Sequence, residues 1–366
     1  MKRTVNGACE IAMNVGVGRG LRGGGVLWWT MELEGQELVP ADAEASNEAA
    51  SSKDAASQPP ASICSGILNL ANTIIGSGLL SLPSAFARCG FVTGSLLLLI
   101  FAAFSALGLH LLSAASDISG RPASLYTVAE KAQPNLGLLV DVAIGIKCFG
   151  VATTYLIVVG DSLPLALEPL GATGALLDRR LWSALAALAV APLAYRKRMD
   201  GLRHTSLIAI LSVLVIMAVV IAFAIGPALS PALDPCASTS AQSSCRAEGA
   251  EVVCSCRGPV VAVSDASSIL RALPIYTFAY TCHQNIVSIS NEMALDGRPA
   301  PERVIRVIQG ALPFALAVYF SVAVAGCSTF GNRVAHDVLT SYPSSPLVSG
   351  ARLFVAGGDH RAFSAF

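Results

Sequence analysis

Across 366 residues, hydrophobic side chains make up 54% and charged ones 13%, with a mean hydropathy of +0.63. A soluble chain of this length needs far more charge to cover its surface, so the composition is that of a membrane protein. Twenty-four basic residues balance 24 acidic ones, which leaves no positive field for nucleic acid and excludes it as a partner.

Residues 1–60 stand apart from the rest. Residues 1–30 carry Gly, Arg and a "VLWW" patch, and Glu10, Asn14, Arg19 and Arg22 interrupt any apolar leader core, which argues against a secretory signal. A transit peptide and an upstream extension before a start at Met31 both stay open. Residues 31–60 hold seven acids against one lysine and read as a disordered cytoplasmic tail.

Residues 61–356 read as one transmembrane domain. A hydrocarbon core of ~30 Å takes about 20 apolar residues in helical form. Seven runs approach that length: Ile63–Pro83, Phe91–Ala115, Leu138–Pro164, Leu181–Tyr195, Ser206–Leu229, Ser268–Ile289 and Gly310–Phe330. The fourth is short, with Arg179 and Arg180 placed to snorkel beside it. An eighth run, Leu347–Ala356, contains Arg352 and cannot span alone; 357–366 is an atypical polar tail.

Basic residues orient the spans. With a cytoplasmic N-terminus, the cytoplasmic loops hold Arg121, Lys131, Arg196, Lys197, Arg198, Arg203, Arg298, Arg303 and Arg306, and the longer opposite loops hold fewer. The positive-inside rule favours that orientation. Cys64, Cys89, Cys148, Cys282 and Cys327 lie in or beside spans and read as small packing residues. Cys236, Cys245, Cys254 and Cys256 share the loop 230–266 on the non-cytoplasmic side, where one or two disulfides are expected and a zinc site has the weaker ligand pattern.

The first span contains "NLANTIIGSGLLSLP". Gly76, Ser77 and Gly78 leave helical geometry cheaply, and such a break survives in a bilayer where it lines a protein cavity. It exposes N–H groups suited to a carboxylate and C=O groups suited to a cation; Asn69 and Asn72 share the adjoining face. The competing reading makes the glycines a close-packing surface. The sixth span is interrupted by Thr281, His283, Gln284 and Asn285, with Pro274 upstream. His283 either carries a proton or stays neutral and bonded to a neighbouring helix. In span three, Asp141 and Asp161 lie near the ends; Lys147 reads as a structural pair or vestibule residue ahead of a coupling role. Breaks in spans one and six are those of an inverted-repeat transporter.

The blocks "NLANTIIGSGLLSLPSAFARCGF", "LYTVAEKAQPN", "IKCFGVATTYLIVVGDSLP" and "YTFAYTCHQNIVSISNEM" resemble the amino acid/auxin permease family, near its sodium-coupled neutral amino acid and vacuolar branches. The resemblance implies an all-α polytopic helical bundle of the LeuT-like (APC superfamily) inverted-repeat fold and secondary active amino-acid transport. Sodium and proton coupling both stay open, and no cofactor is implied. Carried over, Gly76, Ser77 and Gly78 hold the substrate's amino and carboxylate groups, with Tyr155, Thr281 and His283 beside it; Asn72 binds the cation, a sodium site being the one metal it implies. The loop cysteines echo a lumenal disulfide without fixing its pairing.

The family normally has eleven helices, so the resemblance also implies a chain that is C-terminally incomplete after the seventh. The "YTCHQN" block favours a vacuolar or lysosomal membrane and a proton, with the plasma membrane as alternative. A non-transporting amino-acid sensor and an inactive fragment are the rival readings. An enzyme has least support, since no nucleophile–base pair or phosphate-binding loop stands out.

Overall fold

The computed structural model describes residues 61–353, except 77, 195–201, 230–233, 237–244, 249–250, 255, 295–297, 344 and 346. The expected tails at 1–60 and 357–366, Ser77, and the basic cluster Arg196 to Arg198 lie outside the described residues, as do the side chains of Arg203, Cys245 and Cys254.

The helices are α1 Ile63–Ile74, α2 Gly78–Cys89, α3 Phe91–Ser119, α4 Leu125–Ala132, α5 Leu136–Leu167, α6 Arg179–Ala194, α7 Leu202–Leu229, α8 Ala266–Ala279, α9 His283–Met293, α10 Pro301–Phe330 and α11 Val338–Ser341. One antiparallel hairpin, β1 Cys245–Glu248 with β2 Glu251–Cys254, is an addition to the all-helical expectation. Its register places Cys245 opposite Cys254, and the structure bonds Cys236 to Cys256.

Helices α3, α5, α7 and α10 are each long and apolar enough to cross a membrane. Helices α1 and α2 together form a fifth such span, bent by 52°. Helix α6 has 16 residues, below the ~20 a perpendicular span takes. Helices α8 and α9, of 14 and 11 residues, flank a break and neither spans alone.

The ends form where local chemistry directs. The Ser62 hydroxyl accepts from the Ser65 amide to start α1, and Ser124 and Thr127 close a capping box on α4. Asp265 caps α8 by accepting from the Ser268 amide; hydrogen bonds from Ser267 and Ser268 hold its carboxyl well below the usual range.

Helix α10 is the centre of the bundle. Half of its span (50%) is buried, against 22% for α3 and α5, and it packs on α1, α2, α3, α7 and α9. Close approach comes from small residues: a Cβ at Gly310 would meet Ile67 Cδ1 at 2.6 Å, and one at Gly326 would meet Pro83 at 2.8 Å. Helices α3 and α5 instead present Leu99, Phe104, Leu111, Ile146 and Phe149 outward, a surface suited to lipid.

Contacts also tie the two ends of the bundle. At one, Arg303 donates to the Ala61 carbonyl, and Asn291 Oδ1 accepts from Arg121 and from the Ala123 amide. At the other, the Phe91 and Val92 amides bond Val261 and Ala262, and Gly258 N–H bonds Phe330. Gly331 has φ +59, and an added Cβ would collide with the Gly258 carbonyl oxygen, so glycine is needed for this turn.

One sequence expectation is corrected. Of the five span cysteines, Cys89, Cys282 and Cys327 are buried as packing residues are, but Cys64 is exposed. Arg352, in the eighth run, is 1% exposed and donates to the carbonyls of Leu165, Leu339 and Tyr342, tying the end of α5 to the α11 turn. Asp161 pairs with Arg179 at 2.9 Å.

Two stability predictions follow from this packing. Gly310→Leu or Gly326→Leu overpacks α10 and costs roughly 1–3 kcal/mol, so melting in detergent drops by a few degrees, while Gly150→Leu, with nothing within 4 Å, leaves it unchanged. Beyond the spans, burial pushes the Asp337 carboxyl up to about 6 from 3.8, and its Oδ2 has no hydrogen-bond partner among the described residues. The folded state therefore holds that proton more tightly than the unfolded chain. Its stabilising contribution is complete below the ordinary carboxyl value and is lost as the pH rises through about 6. Melting temperatures across that window fall, and Asp337→Asn flattens the slope.

Candidate functional site

Helix α1 stops at Ile74 because the next residues turn back on themselves. Gly76 N–H bonds the Ile74 carbonyl at 2.8 Å, and Leu79 N–H bonds the Gly76 carbonyl at 3.1 Å, carrying the chain into α2. Helix α8 stops at Ala279, and Tyr280, Thr281 and Cys282 bridge to α9. Of the polar cluster that marked the second break, Thr281 lies within it, while His283, Gln284 and Asn285 already sit in the first turn of α9.

The two breaks touch. A Cβ on Gly78 would lie 3.0 Å from the Ala279 Cα, so the start of α2 rests directly on the end of α8. Tyr319 of α10 joins the same two ends from behind. Its hydroxyl stands 2.5 Å from the Ile74 carbonyl oxygen and 2.8 Å from that of Ala279. A phenol has a single proton to donate, so two acceptors share one donor. Both carbonyls sit at C-terminal helix ends, where the peptide dipoles add negative potential.

The remaining carbonyls of the second break are also answered. Tyr280 O accepts from the Cys282 amide and, at 3.4 Å, from Ser105 of α3. Thr281 O accepts from the Lys147 ammonium of α5, also at 3.4 Å. Thus α10, α3 and α5 each send a donor to the interruption, as unpaired backbone in a bilayer demands. Asn285 Nδ2 donates to Thr73 Oγ1 at 2.8 Å, and Thr73 donates to Asn69 O at 2.9 Å, linking α9 to α1.

A cleft lies between these parts. Its walls are Thr73, Ile74, Gly76 and Gly78 from the first break, Phe278, Ala279 and Thr281 from the second, and Lys147, Val151 and Tyr155 from α5. The α5 residues recur every fourth position and so share one face. Tyr155 reaches farthest, its Oη 3.1 Å from where a Cβ on Gly76 would be. The cleft is narrow, about 20 Å³, the space of a water molecule or two. An amino acid needs its walls to part.

Of the residues expected at a site, Gly76, Gly78, Tyr155 and Thr281 line the cleft. Ser77 lies outside the described residues. Asn72 is half-buried, and its neighbour Thr73 is the one at the wall. His283 packs its ring on Gly108 of α3, where a Cβ would meet Nε2 at 2.5 Å, and does not line the cleft. Lys147, read as a structural pair or vestibule residue, belongs to the cleft wall. Sequence reasoning missed Tyr319, although a tyrosine inside "LAVYFSV" carries a hydroxyl that must find a partner in an apolar span.

Two helix ends, at Ile74 and Ala279, and one helix start, at Gly78, meet beside this cleft. The chain is similar to several known proteins. "Vacuolar amino acid transporter 5" of Schizosaccharomyces pombe is 30% identical over 302 residues, 80% of this chain and 64% of its own length. "Vacuolar amino acid transporter 6" of Saccharomyces cerevisiae is 31% identical over 291 residues, 78% of this chain and 59% of its own. "Sodium-coupled neutral amino acid transporter 7" of Homo sapiens is 27% identical over 298 residues, 79% of this chain and 59% of its own. The chain spans less than two thirds of the length of these curated relatives, which are named as transporters and not as enzymes. A family described as transmembrane amino acid transporter protein matches residues 59–357, which include both breaks and every helix around them, and to that family the chain belongs.

Proposed function

We propose that this chain moves amino acids across a vacuolar or lysosomal membrane by secondary active transport, with the substrate's backbone held between the breaks of α1–α2 and α8–α9. The reading rests most on one observation: two interrupted helices abut at Gly78 and Ala279 and share the Tyr319 hydroxyl. The substrate carboxylate meets the N–H groups that open α2 at Gly78. Its ammonium takes the Ile74 and Ala279 carbonyls. Such a pair of half-helices opens each of two inverted repeats in LeuT-like transporters.

The vacuolar names among the relatives favour an endomembrane, and a disulfide between Cys236 and Cys256 suits a lumenal loop. Other relatives are named sodium-coupled, so the driving ion is either a proton or sodium. Asn72, half-buried one turn before the break, is the proposed cation ligand on this chain.

Reconstitution in vesicles with labelled amino acids under a proton or a sodium gradient tests this. Flux should follow one gradient, and Asn72→Ala should weaken that dependence. Tyr319→Phe leaves the buried Ala279 carbonyl without its side-chain donor and Ile74 with the Gly76 amide alone, a loss of roughly 1–3 kcal/mol, and should lower flux about tenfold or more at unchanged expression. Substrate binding with no flux under either gradient would instead favour a sensor, and neither binding nor flux would remove the reading.

A further inference from the structure

The carboxylates of the bundle differ in what they are offered. Asp117 pairs with Arg121, Asp161 pairs with Arg179, and Glu130 accepts from the Asn135 and Gly137 amides. Asp337 is placed otherwise. Its Oδ1 accepts from the Leu339 amide at 2.9 Å, while Oδ2 is buried with no hydrogen-bond partner, the one carboxylate oxygen so placed among the described residues. An ionised oxygen there is a buried acceptor without a donor, which is costly; a protonated one carries its own hydrogen.

The groups that face this acid come from several elements. Helix α11 packs on α2 and α5. From α5 comes Asp161, one turn before Leu165, and from α2 comes Arg88, bonded at 2.7 Å to Nε2 of His336. Arg333 precedes them on the same segment, and Arg352 reaches the turn with Glu168 within its field. Helices α7 and α10 meet the turn through Phe223 and Phe330, whose rings pack on Tyr342. Burial favours the proton on Asp337, the Leu339 amide opposes it, Asp161 favours it and Arg352 opposes it; burial prevails.

Arg352 makes this acid matter to α5. Its guanidinium holds the Leu165 carbonyl at 3.1 Å together with the Leu339 and Tyr342 carbonyls of the α11 turn, so the turn and the helix end are fastened by one side chain. Leu165 lies ten residues beyond Tyr155, about 15 Å along the helix that walls the cleft.

We propose that Asp337 is a proton-binding site that latches the α11 turn to α5: loaded, it holds the packing seen here, and unloaded, it lets the turn swing toward water and frees α5. The proton comes from water at that end of the bundle, forms an O–H bond on Oδ2 and returns to water on release. The site stands on the contacts of the turn; its effect on the cleft rests on the transport-site reading above.

Amide exchange of residues 338–342 in the nanodisc-embedded chain, expressed as protection relative to the free peptide so that intrinsic pH dependence cancels, reads the latch without substrate. Protection should fall about tenfold from pH ~5 to pH ~7. Asp337→Asn, whose side-chain oxygen can still accept from the Leu339 amide, should abolish that fall, while Asp337→Glu and His336→Gln should keep it. Protection that does not change with pH in the native chain, a fall that survives Asp337→Asn, or one that His336→Gln abolishes overturns the site. Dissociation of labelled glutamine over the same pH range tests the link to the cleft: it should speed up severalfold in the native chain and not in Asp337→Asn. A responding latch with an unchanged dissociation rate overturns that link, and a responding latch with no glutamine binding removes the transport-site reading while the proton site stands.

Discussion

Backbone carbonyls that a broken helix releases inside an apolar bundle must find donors, and this structure is arranged around that need. Ile74, Ala279, Tyr280 and Thr281 each offer an oxygen at the two interruptions, and the donors come from three other helices: Tyr319 of α10, Ser105 of α3 and Lys147 of α5. Water would satisfy such groups at a surface at little cost, but within a bilayer an orphan carbonyl is expensive. The breaks are therefore tied to their surroundings by side chains in place of the missing turn. Tyr319 serves two acceptors with one proton, and Ile74 also takes the Gly76 amide, so the Ala279 carbonyl depends on the phenol most.

The rest of the fold keeps those donors in register. Helix α10 runs through the middle of the bundle, held close to α1 and α2 by Gly310 and Gly326, and Tyr319 lies between these two contacts. At one end Asn291 and Arg303 bind α3, α9 and α10 to the chain entering α1. At the other the segment after Cys256 lies along Phe91 and Phe330. Arg352 gathers carbonyls from α5 and α11, which connects the helix bearing Lys147 and Tyr155 to the turns that follow α10. A shift of α5 relative to α10 would thus change which carbonyls are answered.

Much of this was legible in the residues, and the parts that were not have physical reasons. Gly76 and Gly78 marked the first break because nothing else leaves a helix so cheaply, and the hydrophobic runs located the helices to within a few residues at most ends. The second break was found through its polar residues, of which Thr281 lies in the interruption Tyr280 to Cys282, while Gln284 and Asn285 serve the opening turn of α9 and Asn285 bonds across to α1. Composition alone does not distinguish a residue that makes a break from one that supports it. Tyr319 escaped notice because aromatic residues are common in apolar helices and only the fold brings its hydroxyl to two helix ends. Lys147 was conspicuous as a charge in a span, yet its task depended on what α5 faces, which no pattern within α5 records. The pairing of Cys236 with Cys256, among four loop cysteines, likewise follows from how the loop closes and not from spacing.

The central claim is that two opened stretches of backbone, at 75–78 and 280–282, are the surface that a substrate covers. Amide hydrogen exchange on the nanodisc-embedded chain, with and without saturating amino acid, addresses it directly. Faster exchange in those two stretches than in the adjoining helices, slowed together when the amino acid is added, is the result expected. Exchange as slow there as in α10, or protection on addition that appears elsewhere and leaves both stretches unchanged, would contradict the account.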